Sequence, residues 1–157
     1  MASLATLAAA SAVSSPKNET AIHAFIERMY QAIWFDKGGW FDKDLMRSVM
    51  HPEATFAWDE GEDVRLVDTD TFLDLFGEAF RNDGIYSLHE RSLKMTILEF
   101  GSVAQVFDVY EAVFNDGEHI ARGINAFQLV KHEGAWKCSS LAWCEETPEL
   151  PLSKLYP

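Results

Sequence analysis

The second half of the chain alternates apolar and polar residues with a period of two. Short Asn/Asp/Gly sequences separate the later stretches, and strand-length runs joined in this way predict antiparallel hairpins. None of the prolines, at positions 16, 52, 148, 151 and 157, falls inside a stretch, as a sheet requires. The four predicted strands cover residues 86–99, 102–114, 119–131 and 135–146, with turns at Asn115-Asp116-Gly117 and His132-Glu133-Gly134.

The first half has helical spacing instead. Apolar residues at positions 22, 25, 26, 29, 30 and 33 form one face of an amphipathic helix. That helix is predicted to begin at Ser15-Pro16 and to end by Gly38-Gly39. A shorter helix is predicted from Asp42 to His51-Pro52, and a third from residues 68–70 to Asn82-Asp83-Gly84.

Between the second and third helices, residues 54–58 predict a short strand. Residues 64–67 are expected to pair back with it across the acidic turn at residues 59–63. Three helices followed by a long antiparallel meander indicate an α+β fold. The helices must cover one face of the sheet, and a curved sheet covered in this way forms a cone with an open mouth. The expected organisation is a flexible tail at 1–15, one domain at 16–147 and a C-terminal tail at 148–157.

Charge and composition exclude several classes of function. The 157 residues carry a net charge of −12, which argues against nucleic acid and anionic membranes as partners. No stretch of 18 apolar residues predicts a transmembrane helix. Two cysteines and five dispersed histidines show no metal-ligand spacing, and no cofactor or phosphate-binding motif is present. We therefore expect a cytoplasmic protein without metal or cofactor. The alternative for residues 1–15 is a cleaved targeting segment.

The hairpin at Asp116-Gly117 predicts a register between the second and third long strands. Glu111 then faces Arg122 as an ion pair, and Tyr110 lies over the bare backbone of Gly123. In this register Asp108 faces Asn125. A slip of one residue would lose both supporting pairs and reverse the faces. One face of the sheet is therefore expected to carry Asp108, Tyr110, Asn125 and Phe127.

The turn before the last strand leaves two alternatives. A three-residue loop with Gly134 in the left-handed region would place Leu141 and Trp143 on the face of Asn125. A two-residue Glu133-Gly134 turn would place Ser140 and Ala142 there instead. The spacing alone does not choose between them.

Five stretches of the chain carry a family resemblance. They are Phe100-Gly101-Ser102-Val103-Ala104-Gln105-Val106, Val109-Tyr110-Glu111, Ala121-Arg122-Gly123-Ile124-Asn125-Ala126-Phe127-Gln128-Leu129, Gly134-Ala135-Trp136-Lys137 and Trp143-Cys144-Glu145-Glu146. With the order of the elements, they resemble the nuclear transport factor 2-like (NTF2-like) superfamily, in its SnoaL-like group. The resemblance covers roughly residues 18–146 and implies a cone-shaped α+β fold, also called cystatin-like. It also implies a homodimer through the convex sheet face, where Glu111, Arg122, Ile124 and Gln128 are expected.

Four residues are candidates for chemistry. The resemblance to scytalone dehydratase places Asn125, eleven residues before Trp136, in the pocket, and it places a catalytic histidine at His89. A buried Asp108 is a candidate general base, with Asn125 and Tyr30 as hydrogen-bond donors. Strand alternation puts His89 on the face of Leu93, Met95 and Ile97, which is expected to be buried. The expected pocket wall consists of Trp34, Phe56, Trp58, Phe76, Phe80, Tyr110, Phe127, Leu141 and Trp143.

Two departures argue against transferring a known reaction. The position that holds the general-base aspartate in ketosteroid isomerase corresponds to Trp58, and the second histidine of scytalone dehydratase has no counterpart. Three hypotheses therefore remain. The protein is a cofactor-independent proton-transfer enzyme acting on a small apolar or cyclic molecule, a non-catalytic binding module for such a molecule, or a dimerisation domain whose own aromatic residues fill the cone.

Overall fold

The computed structural model describes residues 16–155, and it confirms the α+β architecture. Three helices and six strands follow the predicted order. The predicted tail at 1–15, with the predicted cap Ser15, lies outside the described residues. The elements are α1 Pro16–Ile33, α2 Lys43–Val49, β1 Met50–Asp59, β2 Val64–Asp68, α3 Thr69–Asn82, β3 Leu88–Phe100, β4 Val103–Phe114, β5 His119–His132 and β6 Ala135–Glu145.

The six strands form one curved, mainly antiparallel sheet in the order β2-β1-β6-β5-β4-β3. The β1–β6 pair is parallel, and the other pairs are antiparallel. Strand β1 begins at Met50, earlier than the sequence predicted. It accommodates Pro52 because its pairing with β6 is irregular between Met50 and Thr55.

Side-chain caps start the two shorter helices. Asp42 Oδ1 accepts a hydrogen bond from the Leu45 amide, and Asp68 Oδ1 accepts one from the Thr71 amide, each at 2.8 Å. These caps satisfy amides that the first helical turn leaves without partners. The helices then bury their apolar stripes against one face of the sheet, which we call the concave face. The α1 stripe supplies Ile22, Ile26, Met29, Tyr30 and Ile33 to this core.

The predicted register between β4 and β5 is confirmed. Glu111 pairs with Arg122, Tyr110 with Gly123, and Asp108 with Asn125. Asp108, Tyr110, Asn125 and Phe127 are all buried, as expected for the concave face. Glu111 lies on the opposite, convex face.

Two β-bulges decide which other side chains reach the concave face. In β6, Glu133 and Gly134 form a two-residue turn with both φ angles positive, and His132 pairs with Ala135. An extra residue at Ser139 then shifts the register, so that Leu141 pairs with Phe127 and Trp143 with Asn125. Each of the two turn alternatives from the sequence was right in one respect and wrong in the other. The turn has two residues, and the bulge nevertheless brings Leu141 and Trp143 to the face of Asn125.

The second bulge corrects the expectation for His89. Leu93 is an extra residue between the Ser92–Tyr110 and Lys94–Val109 pairs of β3 and β4. Alternation therefore changes phase at Leu93. Met95 and Ile97 pack against the core, whereas His89 points away from it. The predicted shared face was wrong because continuous alternation was assumed across the bulge.

Candidate functional site

A cavity of about 80 Å3 lies between the helices and the concave face of the sheet. Apolar and aromatic side chains make up most of its wall, and the exposed Glu145 lines its mouth. The lining residues are Met29, Tyr30, Ile33, Met46, Phe56, Phe72, Phe76, Leu88, Glu90, Tyr110, Ala112, Phe114, Asn125, Phe127, Leu141, Trp143 and Glu145.

Asn125 connects two polar groups on the cavity wall. Its Nδ2 donates to the hydroxyl oxygen of Tyr30 at 3.1 Å and to Glu90 Oε1 at 2.8 Å. Helix α1, strand β3 and strand β5 therefore meet at one amide group. Because both hydrogens of that amide are engaged, the orientation of the Asn125 side chain is set.

Asp108 lies one hydrogen bond behind this wall. It is completely buried and is not a lining residue of the cavity. The Tyr30 hydroxyl donates to its Oδ2, and the Ser92 hydroxyl donates to its Oδ1 at 2.6 Å. Burial raises the pKa of Asp108, although these two hydrogen bonds act in the opposite direction. Asp108 thus holds Tyr30 in place and does not reach the cavity itself.

Glu90 is the carboxyl group that does face the cavity interior. Burial raises its pKa from the ordinary 4.5 to about 7. The hydrogen bond from Asn125 lowers this pKa, while the negative charges of Asp108 and Glu145 raise it. Near neutral pH, Glu90 is therefore balanced between its protonated and ionised forms.

Tyr110 presents a hydroxyl group to the cavity beside Glu90. The side chain is 4 % exposed, and its hydroxyl has no hydrogen-bond partner among the described residues. Its ring lies against the backbone of Gly123, where an added Cβ would be 2.9 Å from Tyr110 Cε1 and 2.2 Å from the Cys144 carbonyl oxygen. The predicted packing of Tyr110 over Gly123 is confirmed, and it aims the ring at the cavity.

The aromatic wall is tightly interlocked. Phe56 and Phe72 stack with ring centroids 3.9 Å apart, and Trp143 meets Phe72 and Phe76 edge-on at 5.8 and 6.0 Å. Trp58 stacks on the outer side of Trp143, at 5.2 Å, and supports it without lining the cavity. Such contacts hold ring positions in place, so the cavity keeps its shape.

The expected wall residues thus divide into two groups. Six line the cavity: Phe56, Phe76, Tyr110, Phe127, Leu141 and Trp143. Three do not line it: Trp34, Trp58 and Phe80. Phe80 packs instead with Phe35 and Phe41 in the core beside the cavity, and Trp34 lies at the surface.

His89 lies outside the cavity. Its side chain is 48 % exposed, and its Nε2 lies 2.8 Å from Asp36 Oδ1. Its ring also contacts Trp34, with centroids 5.1 Å apart. The expected burial of His89 is therefore wrong. Among the expected catalytic residues, the structure brings together Tyr30, Asp108 and Asn125 and leaves His89 apart.

The sequence analysis missed Glu90, Ser92 and Glu145. A signal for Glu90 was present, because Arg91 also pairs with Glu111 across the convex face. Cross-strand charge pairing was used to orient Arg122, and applied to Arg91 it would have turned Glu90 inward. The same alternation would also have turned Ser92 inward, because it lies two residues after Glu90. The position of Glu145 on the concave face depends on the bulge at Ser139, and no residue type in β6 predicts that bulge.

Other kinds of site are not supported by the described part of the chain. Within residues 16–155 there is no cluster of three His, Cys, Asp or Glu side chains arranged to hold a metal ion. None of the described helices combines the length and apolar character that a membrane crossing needs.

No protein-family model and no curated protein matches the sequence. Solved structures do match. An NTF-2-like protein of unknown function from Silicibacter pomeroyi superposes with a TM-score of 0.60 at 15% identity, covering 85% of this chain and 99% of its own. The fold is the NTF2-like fold.

Two further structures show what the NTF2-like fold accommodates. A Novosphingobium aromaticivorans protein, provisionally described as a scytalone dehydratase, has a TM-score of 0.64 at 12% identity, covering 83% of this chain and 85% of its own. An Exiguobacterium sibiricum protein is provisionally described as a calcium/calmodulin-dependent kinase II association domain. It has a TM-score of 0.60 at 17% identity, and the match covers 86% of this chain and 97% of its own. At such identities the likeness establishes the fold alone.

Proposed function

We propose that this protein binds a small apolar or cyclic molecule in the cone cavity. The observation that carries the proposal is a pair of polar groups in an otherwise apolar cavity. The Tyr110 hydroxyl and Glu90 Oε2 have no hydrogen-bond partner among the described residues, and both side chains line the cavity. Few, convergent polar groups in an apolar wall are typical of ligand sites, since buried polar groups otherwise find partners.

The alternative of a cone filled by its own aromatic residues is less consistent with this wall. A self-filled core would leave no space beside two unpartnered polar groups. The cavity volume of about 80 Å3 nevertheless limits the ligand. It lies below the roughly 300 Å3 at the lower end for drug-sized molecules, so the ligand is small or displaces an aromatic side chain.

A thermal-shift screen against small cyclic ketones, alcohols, amines and phenols tests the proposal. A ligand present at one hundred times its dissociation constant stabilises the fold by about 2.7 kcal/mol, which is a shift of several degrees. Asn125→Leu keeps the branched shape of the side chain and removes the central amide, so it should abolish the shift. Gln128→Leu, on the same strand but the convex face, is the matched control and should leave the shift intact. A flat screen over the whole panel would reject the proposal.

A second candidate function is cofactor-independent proton transfer of the isomerase, dehydratase or cyclase type. Glu90 favours it, because a general base works best with a pKa near the operating pH. The sequence candidates Asp108 and His89 are less suited. Asp108 is separated from the cavity by Tyr30, and His89 is exposed elsewhere. In this candidate function Glu90 exchanges the proton, and Tyr110 and the Tyr30–Asn125 pair orient the substrate.

Two matched substitutions test the proton-transfer function once a ligand is known. Glu90→Gln should reduce turnover by about a hundredfold or more while changing affinity only a few-fold, because it removes the base and keeps the shape. Asp108→Asn should chiefly disturb affinity through the position of Tyr30. Equal turnover in Glu90→Gln and the native protein would reject Glu90 as the base.

We also propose a homodimer through the convex sheet face. Phe100, with 86 % of its area exposed, lies there with the exposed Leu98, Val103 and Phe107. An apolar patch of this kind on a sheet face favours association. Analytical ultracentrifugation should find a dimer that the double substitution Leu98→Asp and Phe100→Asp converts to a monomer. Val64→Asp, at an exposed apolar position of β2, should remain dimeric.

A further inference from the structure

The charge of the cavity wall is one-sided. Glu90 and Glu145 line the cavity, and Asp108 lies directly behind Tyr30. None of the lining residues is a lysine, an arginine or a histidine. The wall therefore offers negative charge and no positive charge to whatever enters.

The groups that face Glu90 come from every neighbouring element, and none of them is a cation. Tyr30 of α1 and Asn125 of β5 are connected to it by the Asn125 amide. The electrostatic neighbours that raise its pKa are Asp108 of β4 and Glu145 of β6. Among the described residues, no cation lies close enough to act as a counter-ion for an ionised carboxylate in this position. Burial of an unpaired charge is costly, so a bound cation would stabilise the ionised form.

The rest of the wall also favours an organic cation. Eight lining side chains carry aromatic rings, and the electron-rich faces of such rings attract alkylammonium groups. The Tyr110 hydroxyl oxygen lines the cavity and has no hydrogen-bond partner among residues 16–155, so it can accept a hydrogen bond from an ammonium N–H. The net charge of −12 would also concentrate cations at the mouth.

We infer that the natural ligand of the cone cavity is a small aliphatic or cyclic amine, bound as its ammonium ion with the nitrogen between Glu90 and Tyr110. This inference rests on the proposed ligand-binding function of the cavity and names the chemical class of the ligand. It does not depend on whether proton transfer follows. A neutral molecule would leave Glu90 without a counter-ion, and an anion would be repelled by Glu90 and Glu145.

Calorimetric titration with matched pairs of probes tests the inference. The probes are cyclohexylamine and benzylamine, each compared with the alcohol of the same skeleton, cyclohexanol or benzyl alcohol. At pH 8 the amines should bind at least tenfold more tightly than the alcohols. Lowering the pH to 6 should weaken amine binding by about tenfold, because Glu90 takes up a proton while the amine stays protonated up to about pH 10. Alcohol binding should change little.

Three variants separate the roles of the residues. Glu90→Gln should remove both the preference for amines and the pH dependence, with its melting temperature measured to show that it is folded. Tyr110→Phe should weaken amine binding several-fold and leave the pH profile unchanged. Glu133→Gln removes one exposed negative charge at the β5–β6 turn, far from the cavity wall, and should behave like the native protein.

The outcomes distinguish this inference from the proposed function. Alcohols that bind as tightly as amines, with no effect of Glu90→Gln on their ratio, would overturn the inference and leave ligand binding in place. Binding of neither class, together with a flat screen of ketones and phenols, would overturn both.

Discussion

Two glutamates on neighbouring strands lie close together in the sheet and face opposite environments. Glu111, on the convex face, accepts hydrogen bonds from Arg91 at 2.8 Å and from Arg122 at 2.7 Å. Glu90, on the concave face, has only the neutral amide of Asn125 as a donor. The pKa of Glu111 is lowered by its two arginines, whereas burial raises the pKa of Glu90.

The comparison shows that the partner, not the residue type, decides what a carboxylate does. On the convex face the ion pairs satisfy Glu111, and its charge ties three strands together. On the concave face no residue in the described part of the chain supplies a counter-charge to Glu90, at a cost to stability. Groups retained at a cost to stability are typical of functional sites.

The largest expected effect comes from Gly123, which leaves room for the Tyr110 ring on the concave face. Gly123→Ala should destabilise the protein by about 3 kcal/mol or more, because the new Cβ would meet the Cys144 carbonyl oxygen and the Tyr110 ring. Thermal unfolding measures this. Gly77→Ala, in helix α3, is the matched control. Its Cβ would meet only ordinary contacts, so a gain of up to about 1 kcal/mol is expected. Equal behaviour of the two variants would contradict the packing described.

The cost of the unpaired Glu90 carboxylate should appear in the pH dependence of stability. Its pKa is raised from 4.5 to about 7 on folding, so the folded state holds the extra proton and is favoured at low pH. The free energy of unfolding of the native protein, relative to Glu90→Gln, should fall as the pH rises between these values. Between pH 4 and pH 8 this relative free energy should fall by about 3 kcal/mol.

Denaturant unfolding at pH 4, 6 and 8 measures this difference. Asp108 is present in both proteins, so its own titration does not enter the comparison to first order. A difference that is the same at all three pH values would show that Glu90 is not desolvated in the folded protein.

Two tyrosine hydroxyls on the concave face offer a smaller and sharper comparison. Tyr30→Phe leaves Asp108 and Asn125 each one hydrogen bond short and should cost about 1–3 kcal/mol. Tyr110→Phe removes a hydroxyl with no protein partner and should leave unfolding nearly unchanged. If Tyr30→Phe and Tyr110→Phe lowered the free energy of unfolding equally, the Tyr110 hydroxyl would have a structural partner and would not be free to bind a ligand.

The smallest effect is expected on the convex face. Glu111→Gln should destabilise the protein modestly at neutral pH, since both arginines keep much of their side-chain area in solvent. The pKa of Glu111 is lowered on folding, so its contribution is present above its ordinary value of 4.5 and is lost as the pH falls below it. Unfolding measured at pH 7 and pH 3 should therefore show a smaller difference at pH 3 than at pH 7. A larger difference at pH 3 would contradict the ion pairs.

Much of the fold was predictable from local pattern. The period-two stretches, the α1 stripe and the starts of the second and third helices, predicted at Asp42 and at residues 68–70, are determined by neighbours in the chain, and all are confirmed. The β4–β5 register was also predictable, because one short turn and two complementary pairs leave a single alignment. These features locate Asp108, Tyr110 and Asn125 on one face.

The composition of the site was less predictable. Bulges at Leu93 and Ser139 reverse the faces of two strands, and they depend on how each strand meets its neighbours rather than on its own residues. The first bulge is the reason why strand alternation put His89 on the buried face and Glu90 on the other. Asp108 was correctly placed on the buried face, but its distance from the cavity depends on where Tyr30 of α1 arrives.

The sequence by itself determined the order of the elements, the hairpin register and the concentration of polar groups among buried aromatic residues, since these follow from spacing along the chain. Only the tertiary structure decided which carboxyl group faces the cavity and which is neutralised. That choice depends on the positions of side chains far apart in sequence, and on whether an arginine or an aromatic ring reaches the same point. In this protein Arg91 and Arg122 form ion pairs with Glu111, whereas Glu90 lines the cavity.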